Sequence, residues 1–551
     1  MIKDLWYKNA ILYSLHVGTF MDSNGDGIGD FEGLSRRLDY LQGLGVTCLW
    51  LMPFQMSPRK DNGYDISDYY QVDPCYGTLG DFVDFTHEAG QRGIRVMIDL
   101  VVNHTSDQHP WFQEARRDPT SKYHDFYVWS DTRPPDADQG MVFPGVQKTT
   151  WTRDPVAGKY YFHRFYSFQP DLNTANPLVL AEIRKIMGFW LELGVCGFRM
   201  DAMPFVISAK GPGARHVERY ALLRDFREFL QWRRGDAIIL AEANVEPKYD
   251  LHYFGEDGDR LHMMFNFWVN QRLFYGLATG DARPLAKALE QTRERPPTAQ
   301  WSQFLRNHDE LDLGRLTEAQ RQRVFEALGP DPSMQLYGRG IRRRLAPMLR
   351  GDRRRLELAY SLAFTLPGTP VLRYGDELGM GDDLALPDRE CARTPMQWST
   401  EPQAGFTRAE RPVLPVIEQG PYGYHKINAA DQRRDPGSLL NWTERMIRMR
   451  KEVPELGWGD FQVIDTGNDG VLAIRYEWRN NAVLTVHNLR DEAAEVQLRL
   501  PGERGRHLIN LLTHDHSEAD RRGVHHIIME PYGYHWYRVG GLGYLLERTS
   551  A

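Results

Sequence analysis

Apolar and polar positions along this chain follow two alternating periods. Short apolar runs occupy residues 11–17, 46–52, 95–102, 197–201, 237–242, 262–265, 303–306 and 369–373. Runs this short, bounded by turn-forming residues, read as buried strands. Between them the apolar residues fall at helical spacing. Before the fourth run, Asn176-Pro177 supplies a cap and a first-turn proline. Ile183, Ile186, Met187, Trp190 and Leu191 then share one helical face. Strands alternating with helices predict an α/β chain with a parallel sheet, and eight such strands predict a closed (β/α)8 TIM barrel.

The pattern breaks in several places. Residues 105–172 are rich in aromatics, Pro, Asp and Gly and have no helical period, which predicts a subdomain inserted after strand 3. Residues 310–356 read as a helical insertion, and residues 376–437 as a long loop after the eighth strand. Long irregular excursions in a compact fold usually carry function. The last barrel helix falls at 438–451, with Leu439, Trp442, Met446 and Met449 on one face. After Pro454 the period shortens to two over 471–478, 482–488, 495–500, 525–529 and 535–539, which predicts a C-terminal antiparallel β-sandwich. The expected division is a barrel at 1–104 and 173–453, the insert between them, and a sandwich at 454–551.

A 551-residue chain that is 42% hydrophobic has room for a barrel and an appended unit. Its 74 acids against 67 bases leave a net charge of -7, without the concentrated basic surface that nucleic acid requires. Cys48, Cys75, Cys196 and Cys391 form no C-x-x-C pair and no disulfide framework. The first residues read at once as folded sequence, and no apolar run is long enough for a bilayer. A cytoplasmic protein with neither nucleic-acid nor membrane partners is expected.

Three predicted strands lead into carboxylates: Gly197-Phe198-Arg199-Met200-Asp201, Ile239-Leu240-Ala241-Glu242 and Phe304-Leu305-Arg306-Asn307-His308-Asp309. Acids at the ends of successive barrel strands converge on one rim. A lone acid there is more simply a helix cap; three in order point to acetal cleavage. Arg199 and Asp201 are two apart and point the same way on a strand. The guanidinium is expected to lower the Asp201 pKa, as a nucleophile needs. Glu242, close to other carboxylates, is expected to keep its proton and act as general acid. His308 offers a donor to a sugar hydroxyl. His104, closing Asp99-Leu100-Val101-Val102-Asn103-His104, is expected at the same rim. Tyr64 offers a flat face for a sugar ring and Asp61 an acceptor for its hydroxyls.

Asp22, Asn24, Asp26, Ile28 and Asp30 place oxygen ligands at every second residue, Ile28 through its backbone carbonyl. Gly33 stands where an EF-hand has its closing glutamate, so an independent loop for a structural calcium ion, or magnesium, is expected.

Together these motifs, with Gln169-Pro170-Asp171-Leu172-Asn173, resemble the α-amylase family of glycoside hydrolases (family thirteen) over nearly the whole chain. The resemblance implies Asp201 as nucleophile, Glu242 as acid/base and Asp309 as transition-state stabiliser. It implies that His104, Arg199, His308, Tyr64 and Phe165 line a glucose subsite. Asp61 and Arg393, in Ala392-Arg393-Thr394-Pro395-Met396-Gln397-Trp398, resemble the family's clamp on a terminal glucose. Within the family, Asp154-Pro155-Val156-Ala157-Gly158, Leu240-Ala241-Glu242-Ala243-Asn244 and Gly340-Ile341-Arg342-Arg343-Arg344-Leu345-Ala346-Pro347 resemble the trehalose synthase group. That implies a retaining enzyme for small α-glucosides, interconverting maltose and trehalose through a covalent glucosyl-Asp intermediate. An exo-acting α-glucosidase or glucosyltransferase shares the first step, so both readings stay open. Phe168 and Arg373 depart from that group's usual residues. Residues 202–208 lack the acid that would complete a second calcium site with Asn103 and Asp171. Non-catalytic transporter heavy chains also resemble this family. The three retained acids and the absence of a membrane helix favour an enzyme over that role, or over a carbohydrate-binding one. A homodimer or higher oligomer is left open.

Overall fold

The computed structural model describes residues 5–212, 218–500 and 503–540. The outer ends of the predicted first and last units, residues 1–4 and 541–551, lie outside them. Eight parallel strands close into the predicted barrel. They are β1 (Leu12–Leu15), β2 (Cys48–Leu51), β3 (Arg95–Leu100), β4 (Gly197–Met200), β5 (Ile238–Ala241), β6 (Met263–Phe265), β7 (Gln300–Phe304) and β8 (Thr369–Arg373). Leu12 of β1 lies opposite Val371 of β8, which closes the ring.

Alternation along each strand sorts the side chains. Leu12, Cys48, Trp50, Met97, Leu240, Met263, Phe265 and Phe304 pack together inside the barrel. Leu49, Ile98, Phe198, Ile239, Met264 and Leu372 turn outward into the core shared with the helices. β7 starts at Gln300, before the predicted position, and stops at Phe304. Its early residues Gln300 and Ser302 are buried polar groups, so the apolar run understates the strand. Asn307, His308 and Asp309 therefore stand on the turn beyond it.

The helix Pro177–Glu192 forms as the sequence predicts. Asn176 accepts the Leu178 amide as its cap, and Val179, Ile183, Ile186, Met187, Trp190 and Leu191 are buried. Each large side chain fully buried on such a face contributes about 1.5–3 kcal/mol. The insert folds around the short sheet Trp129–Ser130, Tyr160–Phe162 and Trp151–Arg153. Isolated bridges from His104 to Asp171 and from Tyr127 to Leu172 tie its ends to the barrel rim.

The C-terminal unit is a lopsided sandwich. A six-stranded antiparallel sheet, which includes Val471–Trp478, Asn481–Asn488 and Tyr534–Val539, faces the two strands Ala494–Arg499 and Val524–Met529. Leu484, Val486, Leu498, Ile527 and Tyr537 fill the space between them. The other face of the large sheet, with Leu472, Ile474, Val483 and Trp536, joins the barrel's own core. Trp536 Nε1 donates to Ser361 Oγ at 2.9 Å, on the helix Arg353–Thr365. Among the described residues, no helix is long and apolar enough to cross a membrane.

Candidate active site

Strand parity carries the inward pattern up to the rim. Asp99, Arg199 and Asp201 continue the inward rows of β3 and β4, and Glu242 continues that of β5 from Leu240. Arg199 is 1% exposed. Its Nη1 lies 2.6 Å from both Asp99 Oδ1 and Asp201 Oδ1, and its Nη2 lies 2.9 Å from Glu242 Oε1. One guanidinium thus holds the two candidate catalytic acids side by side. The Ala202 amide donates to Glu242 Oε2 at 3.1 Å. Ala202 reaches that position with φ 49°, left-handed for a residue with a Cβ.

The expected lowering of the Asp201 pKa is corrected. Burial raises it to about 6; Arg199 opposes the rise, while Asp99 and Asp309 add to it. The reason is burial: removing the carboxyl from water outweighs the guanidinium, and two neighbouring carboxylates add to the rise. Burial raises Glu242 to about 7, against Arg199 and with help from Asp201 and Asp309, so this acid behaves as expected. Asp99 also rises to about 6 through burial, although Arg199 and the Trp50 indole bind its charged form. Burial works against the charge of Asp309 too, but the guanidiniums of Arg389 and Arg393 outweigh it and hold it well below the usual carboxylate range.

Most of the residues expected around a sugar ring converge, while Arg199 lies buried behind the acids and does not line the cavity. Asp61, Tyr64, His104, Phe165, His308, Asp201, Glu242 and Asp309 line one cavity of about 1000 Å³. Tyr64 stacks on His308 at 5.5 Å and 6°, and donates to Asp99 Oδ2 at 3.1 Å. With its O–H directed at Asp99, the Tyr64 hydroxyl accepts from His308 Nε2 at 2.8 Å. Burial keeps the His308 ring neutral. His104 Nε2 donates to the Tyr64 carbonyl at 3.0 Å.

The clamp differs in detail. Arg393 sits behind the acids, with Nε on the His308 carbonyl at 2.9 Å and Nη2 3.2 Å from Asp309 Oδ1. The guanidinium that lines the cavity between Asp61 and Asp309 is that of Arg389, a residue the sequence reading missed. Its Nη1 lies 2.5 Å from Asp309 Oδ1 and its Nη2 3.4 Å from Asp61 Oδ1. Gln169 Nε2 completes the contact, donating to Asp61 Oδ2 at 2.9 Å.

Lys210 was missed as well. Its ammonium donates to Asn103 Oδ1 at 2.8 Å, to the carbonyls of Asn103 and Leu172 at 3.1 and 2.9 Å, and pairs with Asp171 Oδ2 at 3.0 Å. A lysine cation therefore stands among the oxygens around which a second calcium ion was considered. It ties the insert to the end of β3 and so to His104.

In the loop considered for a metal, Asp22, Asn24 and Asp26 each accept the amide two residues on. Asp30 caps the helix Phe31–Ser35 through the Gly33 amide and also takes the Ser23 amide. The donors are all oxygens, which suits a hard cation. Among the described residues, however, no three His, Cys, Asp or Glu side chains are gathered to hold a metal.

Comparison with known proteins agrees with this geometry. Residues 15–328 and 342–459 match the alpha amylase catalytic domain, and residues 481–538 match a sucrose hydrolase-like C-terminal domain. The chain is 48% identical to a trehalose synthase of Thermus thermophilus over 88% of its own length, and spans 50% of that relative. It is 41% identical to the trehalose synthase/amylase TreS of Mycolicibacterium smegmatis over 97% of this chain and 92% of that one. Among solved structures, the trehalulose synthase MutB of Pseudomonas mesoacidophila superposes with a TM-score of 0.75 at 28% identity, covering 97% of this chain and 99% of that one. With the barrel, the ordered acids and a catalytic-domain match over most of its length, the chain belongs to the α-amylase family of glycoside hydrolases.

Proposed function

We propose that this enzyme interconverts maltose and trehalose by moving one glucosyl unit within a single bound disaccharide. The observation that carries the reading is Arg199 bridging Asp201 and Glu242 in a cavity whose glucose end is walled by Asp61, Arg389 and Asp309. The wall suits one terminal glucose, and its relatives named as trehalose synthases support the choice of sugar.

In the first step an Asp201 carboxylate oxygen bonds to the anomeric carbon. The glycosidic C–O bond breaks, and Glu242 gives its proton to the departing oxygen. Asp309, held ionised, stabilises the positive charge that develops on the ring. In the second step the anomeric hydroxyl of the retained glucose attacks the same carbon. Its proton passes to Glu242, and the bond to Asp201 breaks. Water in place of glucose gives hydrolysis.

The test is a product analysis with maltose and trehalose as separate substrates. Each should yield the other disaccharide faster than free glucose. Release of glucose alone would replace the reading with an exo-acting α-glucosidase. The oxygen spacing of Asp22, Asn24, Asp26 and Ile28 supports a second proposal, a structural calcium ion in that loop. Calcium should raise Tm, and an EDTA-treated protein with an unchanged Tm would dismiss it.

A further inference from the structure

Three excursions far apart in sequence meet over the glucose end of the cavity. Phe143 comes from the insert, Tyr337 from the segment after β7, and Arg389 from the loop after β8. The Phe143 ring lies 5.1 Å from Tyr337, 5.0 Å from Tyr166 on which it stacks, and 5.3 Å from the Arg389 guanidinium. Phe143 is only 5% exposed, although it sits on an irregular turn. That turn is braced from two sides. Gln147 accepts the Val142 amide at 3.0 Å and donates to the Arg164 carbonyl at 2.9 Å. Arg339 Nη2 donates to the Val142 carbonyl at 3.0 Å. Tyr337 holds φ 56°, a left-handed conformation that a tyrosine keeps only when its surroundings impose it.

The far edge of Arg389 is engaged with Asp309 and Asp61. Its central carbon lies over the Phe143 ring. A ring on one side and two carboxylates on the other hold this guanidinium in place, and each segment holds the other two.

We propose that Phe143, clasped by Tyr337 and Arg389, is a latch that sets whether the glucosyl–Asp201 intermediate is captured by the retained glucose or by water. The inference rests on the glucosyl-transfer reading above. Both captures are chemically the same step: a hydroxyl oxygen bonds to the anomeric carbon, its proton goes to Glu242, and the Asp201 ester opens. Their ratio depends on how long the leaving glucose is kept in and water kept out. The clasp joins the segments that would have to part for either exchange.

The experiment compares Phe143→Ala, Phe143→Tyr and Val146→Ala on maltose, with trehalose and free glucose quantified over time. Val146 lies on the same turn, 50% exposed. In Phe143→Ala the share of turnovers ending in free glucose should rise roughly fivefold, the order expected from losing a ring–cation contact at the weaker end of its range. Phe143→Tyr, which keeps the ring, and Val146→Ala should match the wild type. An unchanged ratio in Phe143→Ala, or an equal shift in Val146→Ala, overturns the latch. If Phe143→Ala does not fold, Tyr337→Ala takes its place with the same two outcomes. A wild type that makes no trehalose refutes the isomerase reading instead. The latch is then read from transfer to excess isotopically labelled glucose: the transfer-to-hydrolysis ratio should fall in Phe143→Ala, and a constant ratio overturns it.

Discussion

Lys210→Ala is the perturbation whose size the structure fixes best. The substitution removes an ammonium whose side chain is 3% exposed and leaves the Asp171 carboxylate, 0% exposed, without a countercharge. The carbonyls of Asn103 and Leu172 lose their donor at the same time. Breaking a buried ion pair from one side costs about 3–5 kcal/mol. An unfolding entropy of roughly 2.1 cal/mol/K per residue, over 551 residues, makes 1 kcal/mol worth about 1 °C. Tm should therefore fall by about 3–5 °C in a calorimetric scan. The loss should reach the site through Asn103 and His104, so KM for maltose should rise more than kcat falls. The emptied space is bounded by a carboxylate and three carbonyl-type oxygens, a hard-cation ligand set. Added calcium should accordingly raise the Tm of the variant by more than that of the wild type. A variant that melts with the wild type and gains nothing extra from calcium would refute the assignment of Lys210 as the cation that fastens the insert.

Asp201→Asn should lower kcat by at least about 10³-fold, because no carboxylate remains to form the ester; a turnover assay retaining a tenth of the activity would reject Asp201 as nucleophile. Glu242→Gln should lose maltose turnover and recover with azide on an activated aryl glucoside, and azide without effect would count against the acid/base role. The pH profile should be a bell. Activity falls below about 6 as Asp201 takes up a proton and falls above about 7 as Glu242 loses one, so a maximum outside this interval would contradict the roles of the two acids. Arg389→Met removes one of the groups that keeps Asp309 ionised and frees Asp61, so KM should rise at least about tenfold; an unchanged KM would leave Arg393 as the clamp.

The parts of this molecule that obey a period were readable from the sequence. β5 is a continuous apolar run, as a strand buried on both faces must be, and the acids following β4 and β5 could be placed by parity alone. β7 was misplaced at its start because Gln300 and Ser302 fill the barrel interior with polar atoms. Arg389 and Lys210 lie on irregular backbone, where sequence spacing says nothing about direction. Lys210 had one usable signal, a cation two residues beyond the stretch that lacked the expected acid. The Asp201 pKa was misjudged because pairing with Arg199 was legible while the burial of the carboxyl and its nearness to Asp99 and Asp309 were not.

The large C-terminal sheet has no free side. One face is filled by the pair of short strands, and the other is continuous with the core beneath the helix Arg353–Thr365, where Trp536 reaches Ser361. Such a unit cannot swing against the barrel without opening apolar surface on both. Truncating the chain near residue 454 should expose the back of the barrel and not liberate an independent catalytic core. Any movement that opens the cavity then has to come from the rim, from the very excursions that close over it.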